Sequence, residues 1–216
     1  MGSSRLPGKS LADLAGRPVL QFMLKRVAHA STLDGIVVAT TTAPRDDPLA
    51  EVARASGATV FRGSEQDVLA RYAGAAELAQ AATVVRLTAD CPLLAPEVID
   101  HVVRAYERAD PPYDLVTNAP PTGRTYPDGM DVEVFSRRTL VRADAEAIEP
   151  ADREHPTRFL HGGGFRVKVV QLPHDLGDVR ITVDDERDLA RVREIVAALP
   201  DRRFTLEDVI ALLDRS

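Results

Sequence analysis

The first half of the chain alternates between two spacings of apolar residues. In segments such as 18–30, the apolar positions 19, 20, 23, 24 and 27 form one stripe of a helix. Segments such as 35–41 are short β-branched runs, which are typical of buried strands. Strands are predicted over 35–41, 58–63, 82–89 and 113–118, and helices over 18–30, 47–57, 67–80 and 96–109. This alternation predicts an α/β fold with a mostly parallel sheet and helices on both faces.

The second half of the chain has a different pattern. Its first apolar run alternates with polar residues as a half-exposed strand does. The stretch PHDLGD between the next two runs fits either a hairpin turn or a connection to a crossing strand. Thr205 and Asp208 have the spacing of a helix capping box. Strands are predicted over 131–135, 165–172 and 179–184, and helices over 185–199 and 205–214.

Length, charge and cysteine content narrow the class of protein. The 216 residues predict one domain, 1–216, and the net charge of −6 argues against a general nucleic-acid binder. No apolar run approaches the roughly 20 residues that a membrane span needs. Cys91 is the sole cysteine and is expected to be a small core residue, so no internal disulfide can form. We expect a cytoplasmic protein without membrane or nucleic-acid partners.

The segment GSSRLPGK at residues 2–9 has the composition of an anion-binding loop. Ser3 and Ser4 supply hydroxyls, and Arg5 and Lys9 supply positive charge for a polyphosphate. It is not a Walker A loop, because the first glycine lies one residue too far away and no strand precedes it. The alternative is a polar N-terminal tail.

Two carboxylates follow predicted strands. Asp90 lies just past the strand at 82–89, where a parallel sheet places ligands, and could bind Mg²⁺ together with a nucleotide phosphate. Its alternative role is to cap the next helix. Asp184 and Asp185 stand where a β-branched run meets a helix, and acidic residues are favoured in any first helical turn.

Two further groups of residues could contact a substrate. Asp131 and Glu133 share one face of a predicted strand and suit sugar hydroxyls, a metal or an ammonium group; the alternative is a solvated strand face. Glu154, His155 and Arg158 could reach a substrate carboxylate, although a lone histidine is more often structural.

Taken in order, six segments resemble the cytidylyltransferases of nucleotide-sugar pathways. These enzymes include the CMP-KDO synthetases and the acylneuraminate cytidylyltransferases. The resemblance is strongest to the spore coat polysaccharide biosynthesis protein F family. The segments are GSSRLPGK, RGSEQDVLARY, RLTADCPL, YPDGMDVEVF, EHPT and ITVDDERDL. Together they span nearly the whole chain.

The resemblance implies a three-layer α/β/α nucleotide-diphospho-sugar transferase fold, Rossmann-like in its layers. It implies CMP transfer from CTP to a sugar acid or related acceptor in cell-surface polysaccharide precursor synthesis, with Mg²⁺ as cofactor and pyrophosphate released. A homodimer is left open. The implied site residues are Ser3, Ser4, Arg5 and Lys9 on the triphosphate, with Arg5 and Lys9 catalytic, Arg62 and Asp67 at the nucleotide, Asp90 and Asp184 on the metal, and Asp131, Glu133, Glu154 and His155 at the acceptor.

The chain departs from this family at its N-terminus. The relatives begin with an apolar strand ending in an arginine, and here no such strand precedes residues 2–9. We therefore expect a truncated or misassigned start, poor order over 1–9, and a vacant or borrowed sheet position beside the strands near 36–40 and 82–88. The alternative functions are a glycosyltransferase that uses a nucleotide sugar, and a truncated non-catalytic homologue.

Overall fold

Residues 6–199 and 203–215 are described by the computed structural model of the chain. The strands are β1 (Val37–Thr41), β2 (Thr59–Gly63), β3 (Thr83–Arg86), β4 (Leu115–Thr117), β5 (Glu133–Ser136) and β6 (Val167–Val169). The α-helices are α1 (Val19–Val27), α2 (Asp47–Ala55), α3 (Val68–Leu78), α4 (Pro96–Glu107), α5 (Arg137–Glu146), α6 (Pro150–Glu154), α7 (Pro156–His161), α8 (Glu186–Ala198) and α9 (Leu206–Leu213). Short 3₁₀ helices cover Lys9–Leu11 and Pro44–Asp46.

The described strands form two sheets. β1 and β2 are parallel, and a four-stranded sheet has the order β3-β5-β4-β6. β4 and β6 are parallel as predicted, but β5 runs antiparallel to both β3 and β4. The chain reaches β5 from β4 through 118–132, which contain no helix. A return without a helical crossover favours an antiparallel neighbour, which explains the departure from a mostly parallel sheet.

The two faces of the larger sheet carry different apolar clusters. On β4, Leu115 joins a cluster with α3 and α5, whereas its neighbour Val116 joins the larger cluster with α1, α4 and α8. Phe135 and Val134 of β5 divide in the same way. Because successive strand residues point to opposite faces, helices cover both sides of the sheet. The layers are therefore those of the expected α/β/α fold.

The N-terminal segment differs from expectation in one respect. Among the described residues, β1 pairs only with β2 and β3 only with β5. The expected poor order of residues 1–9 is wrong for 6–9. The amide of Lys9 donates to the carbonyl of Leu6 at 3.2 Å, and Gly8 takes a left-handed φ of 74° before the 3₁₀ turn. Residues 1–5 lie outside the described part of the chain.

Sequence patterning overlooked the helices between β5 and β6. The hydroxyl of Ser136 caps α5 by accepting a hydrogen bond from the amide of Thr139 at 3.0 Å. Leu140, Ala143 and Ala147 are buried at the three- and four-residue spacings of a helix. The signal for α5 was therefore present, although the helix is polar on its other faces.

The predicted strand over 179–184 is reduced to one bridge. Arg180 pairs with Asp128 in parallel, and β6 pairs with β4 rather than with this segment, so the hairpin alternative is wrong. The capping box of Thr205 and Asp208 is confirmed at the start of α9. No helix within the described ranges is long and apolar enough to cross a membrane.

Candidate functional site

Lys9 joins two carboxylates that are far apart in the chain. Its Nζ lies 3.0 Å from Oδ2 of Asp90 and 2.9 Å from Oδ1 of Asp184. The side chain of Lys9 is 17% exposed, and those of Asp90 and Asp184 are 30% and 24% exposed. The fold thus brings together the two residues that the resemblance assigned to a metal, with a cation between them.

The loop that follows β3 is tied directly to the segment that precedes α8. The amide of Val183 donates to the carbonyl of Asp90 at 2.8 Å, and the amide of Cys91 donates to the carbonyl of Thr88 at 3.2 Å. Asp184 is the next residue after Val183. These backbone contacts hold both carboxylates at one edge of the structure, near the carboxyl end of β3.

Three acidic residues at the start of α8 have different hydrogen-bond partners. Asp185 is the N-cap, and its carboxylate accepts from the amides of Arg187 and Asp188. Asp188 completes the capping box and accepts from the amide of Asp184 at 2.9 Å. Asp184 is directed to the site instead, where Arg180 donates to its Oδ2 at 2.5 Å. The helix-start interpretation is correct for Asp185.

The charges of this cluster shift the ionisation of its members. Burial lowers the pKa of Lys9, but its hydrogen bonds and ion pairs with Asp184 and Asp90 outweigh that effect and raise the pKa overall. Burial raises the pKa of Asp90, and the charge and hydrogen bond of Lys9 reverse this and lower it. Lys9 is therefore a cation and Asp90 an anion at neutral pH.

Cys91 lies beside Asp90 but belongs to the core. Its thiol is buried, and burial raises its pKa well above the ordinary value, with the charge of Asp90 adding to the shift. A thiol of this kind is a poor nucleophile. The expectation of a small core residue is confirmed.

Asp131 and Glu133 are paired with arginines. Nη1 of Arg124 lies 3.0 Å from Oδ1 of Asp131, and Arg86 donates to Glu133. Burial raises the pKa of Asp131, whereas the charge and hydrogen bond of Arg124 oppose the shift. These carboxylates are therefore not the bare, solvated strand face that was the alternative. Their role at the acceptor stays a prediction.

Arg124 connects Asp131 to an open cleft. The cleft is about 270 Å³ and is lined by residues 120–124 together with Asp175, Gly177 and Asp178. Arg124 also pairs with Asp128 at 3.2 Å. Nothing in the local sequence distinguishes Arg124, Arg86 or Arg180 from the other arginines of the chain.

The remaining predicted residues lie in separate contacts. Arg62 donates to the carbonyls of Thr41 at 2.7 Å and Ala43 at 2.9 Å, and so holds the loop after β1. Asp67 caps α3 and pairs with Nη2 of Arg153 at 2.6 Å. Glu154 and His155 follow Arg153 and are exposed. Ser3, Ser4 and Arg5 lie outside the described residues.

The carboxylates of Asp90 and Asp184 suit a divalent cation that also binds substrate phosphates. Within the described ranges, no group of three or more His, Cys, Asp or Glu side chains could hold an ion. Two carboxylates converge on one cation, Lys9 Nζ. Mg²⁺ is commonly bound by one or two carboxylates, with substrate phosphates and water completing its shell. Asp90 and Asp184 therefore fit Mg²⁺ brought in with a phosphorylated substrate.

Known proteins similar to this chain include a cytidylyltransferase family and individual relatives. The cytidylyltransferase family model matches residues 1–212. The spore coat polysaccharide biosynthesis protein SpsF of Bacillus subtilis is 29% identical over 226 residues, covering 100% of this chain and 91% of SpsF.

Two solved structures extend the comparison. A cytidylyltransferase from Leptospira borgpetersenii superposes with a TM-score of 0.95 at 30% identity, covering 100% of this chain and 90% of that one. CMP:2-keto-3-deoxy-manno-octonic acid synthetase complexed with CTP superposes with a TM-score of 0.68 at 19% identity, covering 91% and 94%. The latter likeness establishes the shared fold.

Proposed function

The chain belongs to the cytidylyltransferase family, and from that premise we propose that it transfers CMP from CTP to a sugar acid or related acceptor. Pyrophosphate is the second product. The product would be an activated sugar for cell-surface polysaccharide, in keeping with the name of SpsF.

The convergence of Asp90 and Asp184 on one cation carries the proposal. The two residues are far apart in the chain, yet both carboxylates contact the same ammonium nitrogen. A scaffold protein has no need of two half-buried carboxylates facing one another, since like charges repel. Nucleotidyl transfer needs such a pair to hold the cation that accompanies a triphosphate.

The chemistry asks the protein mainly for positioning and charge. The acceptor hydroxyl loses its proton to solvent as its oxygen attacks the α-phosphorus and forms a new O–P bond. The bond between the α-phosphorus and the oxygen bridging it to the β-phosphorus breaks, and pyrophosphate leaves with that oxygen. Lys9, with Arg5 as the resemblance assigns it, places positive charge on the phosphate oxygens. Mg²⁺, when held by Asp90 and Asp184, supplies further charge neutralisation to the triphosphate.

The acceptor side of the site is proposed at the Arg124 cleft. Asp131 lies next to this cleft through its ion pair with Arg124. Arg124 offers a guanidinium to an acidic acceptor, and Asp131 and Glu133 offer carboxylate oxygens to its hydroxyls. Glu154 and His155 at the acceptor, and Arg62 and Asp67 at the nucleotide, are proposed from the family resemblance alone.

The direct test is release of pyrophosphate from CTP with Mg²⁺ and a panel of sugar acids. CTP should also raise the melting temperature more than ATP, GTP or UTP. At a concentration of ~100 times its dissociation constant, a ligand adds about 2.7 kcal/mol to the free energy of unfolding. Equal shifts with all four nucleotides would contradict a cytidine site.

Asp90→Asn and Asp184→Asn should each lower turnover by about 10²-fold or more, because the charge that holds the cation is lost. Asp34→Asn is the matched control, since Asp34 is an exposed carboxylate outside the site. Circular dichroism should be unchanged in all three variants. Full turnover in either site variant would remove the metal role of that residue.

A further inference from the structure

Lys9 occupies the position that the two carboxylates would otherwise offer to a metal ion. Its Nζ contacts Oδ2 of Asp90 and Oδ1 of Asp184 at hydrogen-bonding distances. The other oxygen of Asp184 is held by Arg180. Oδ1 of Asp90 faces the buried thiol of Cys91 at 3.6 Å. The two oxygens that face Lys9 are therefore the pair that point toward each other and that one divalent cation could bridge.

An ammonium and a divalent cation cannot share these oxygens at such distances. Mg²⁺ binds carboxylate oxygens at about 2.0–2.1 Å, and a positive charge already in contact with the same atoms would repel it. One of the two cations must leave. The carboxylates are anchored by backbone contacts and by the α8 capping box, so the mobile partner is the lysine.

The local structure lets Lys9 move. The residue follows Gly8, whose left-handed φ of 74° begins a single 3₁₀ turn rather than a long helix. A lysine side chain has four flexible carbons and carries its charge at the tip, unlike the rigid fork of arginine. Reorienting the side chain needs no change in the main-chain contacts of residues 6–12.

We propose that Lys9 is an exchangeable counter-ion, which neutralises Asp90 and Asp184 in the metal-free chain and is displaced when a divalent cation binds them. This inference rests on the proposed function for the identity of the site. The displaced ammonium becomes available to the phosphates of the nucleotide. Metal and nucleotide therefore favour each other's binding, and in the metal-free protein the ammonium offsets the repulsion between the two carboxylates.

The test measures Mn²⁺ binding to the full chain in the absence of nucleotide. The electron paramagnetic resonance signal of the free ion reports how much Mn²⁺ stays unbound. Lys9→Met should bind Mn²⁺ about tenfold more tightly than the wild type, because the competing charge is gone. Lys9→Gln tests the same change with a polar side chain. Lys25→Met, at an exposed lysine of α1, should bind Mn²⁺ as the wild type does.

The double variant Lys9→Met with Asp90→Asn assigns the gained affinity to this site and should lose it. Equal or weaker Mn²⁺ binding by Lys9→Met and Lys9→Gln would overturn the inference, as would a gain that survives in the double variant or appears in Lys25→Met. Since the assay contains neither CTP nor acceptor, its failure is distinct from failure of the proposed transfer, which pyrophosphate release measures.

Discussion

Two basic residues hold the same loop, one at each end, and their partners differ in kind. Lys9 contacts the carboxylate of Asp90 near the start of the loop. Arg26 of α1 donates to the carbonyls of Leu93 at 3.2 Å and Leu94 at 3.3 Å near its end. Arg26 also donates to the carbonyl of Phe204 at 2.9 Å and lies over its ring.

The difference in partners separates the exchangeable cation proposed at Lys9 from the structural cation Arg26. Carbonyl oxygens carry no net charge and attract a metal ion less than carboxylates do, so Arg26, only 3% exposed, acts as a structural clamp. Burial lowers its pKa to about 10, with the charge of Glu97 opposing the shift, and it stays charged at neutral pH. The carboxylates of Asp90 and Asp184 are charged, so a metal ion can bind them in place of Lys9. Lys9 is therefore replaceable by a ligand, whereas Arg26 is not.

Arg26→Met should have the largest effect on stability. The variant leaves three carbonyls without their donor, and an unpaired buried polar group costs about 1–3 kcal/mol. We expect a loss of about 3 kcal/mol in the free energy of unfolding, or roughly 6–12 °C in melting temperature. Lys25→Met is the control at the adjacent exposed position. An unchanged melting temperature would remove the distinction between the two cations.

Asp100→Asn tests a carboxylate near the Arg26 clamp whose partners are all protein donors. Burial raises the pKa of Asp100, but hydrogen bonds from Ser31 at 2.6 Å and Thr32 at 2.8 Å outweigh this and lower it below 3.8. A depressed pKa contributes stability that is present above pH 3.8 and is lost as the pH falls below it.

The wild type should therefore lose more stability than Asp100→Asn between pH 5 and pH 3. At pH 7 the variant should be less stable by about 2 kcal/mol, because charged hydrogen bonds are replaced by weaker ones. Urea unfolding across this pH range measures both effects. Parallel pH profiles would show that Asp100 contributes no such stability.

Thr205→Ala weakens the helix cap beside the clamp. Thr205 accepts from the amide of Asp208 and is adjacent to Phe204, which holds Arg26. Loss of an N-cap hydroxyl should lower the free energy of unfolding by about 1 kcal/mol. The loss should be smaller in an Arg26→Met background, where Phe204 no longer has its partner. Strict additivity of the two changes would show that cap and clamp are independent.

Lys9→Met should have the smallest effect on stability. Asp90 and Asp184 are part-exposed, so water and salt screen them when the ammonium is lost, and ion pairs of this kind are worth about 1 kcal/mol or less. Adding Mn²⁺ should raise the melting temperature of Lys9→Met more than that of the wild type. A loss as large as that of Arg26→Met would make Lys9 a structural clamp.

The predicted elements and site residues agree with the structure to different degrees. The strands and helices of the first half follow their predicted order, with α3 and β2 within a few residues of the expected bounds. The helices α5 to α7 were not predicted: α6 and α7 are too short to show a period, and the apolar spacing of α5 lies on an otherwise polar helix. Asp90 was predicted at a metal from its position after a strand, and Asp184 was added by resemblance; the fold brings the two together, and their roles stay predictions.

What the sequence by itself determined is local. Periodicity of apolar residues and caps such as Thr205 act over a few positions, so the alternating α/β pattern and the family resemblance could be recognised directly. Only the tertiary structure decided that β5 is antiparallel, that Asp184 rather than Asp185 faces Lys9, and that Arg26 is a clamp. The physical reason is separation along the chain: Lys9 lies 81 residues from Asp90 and 175 from Asp184. Contacts at that range depend on how the layers pack, which no local pattern records.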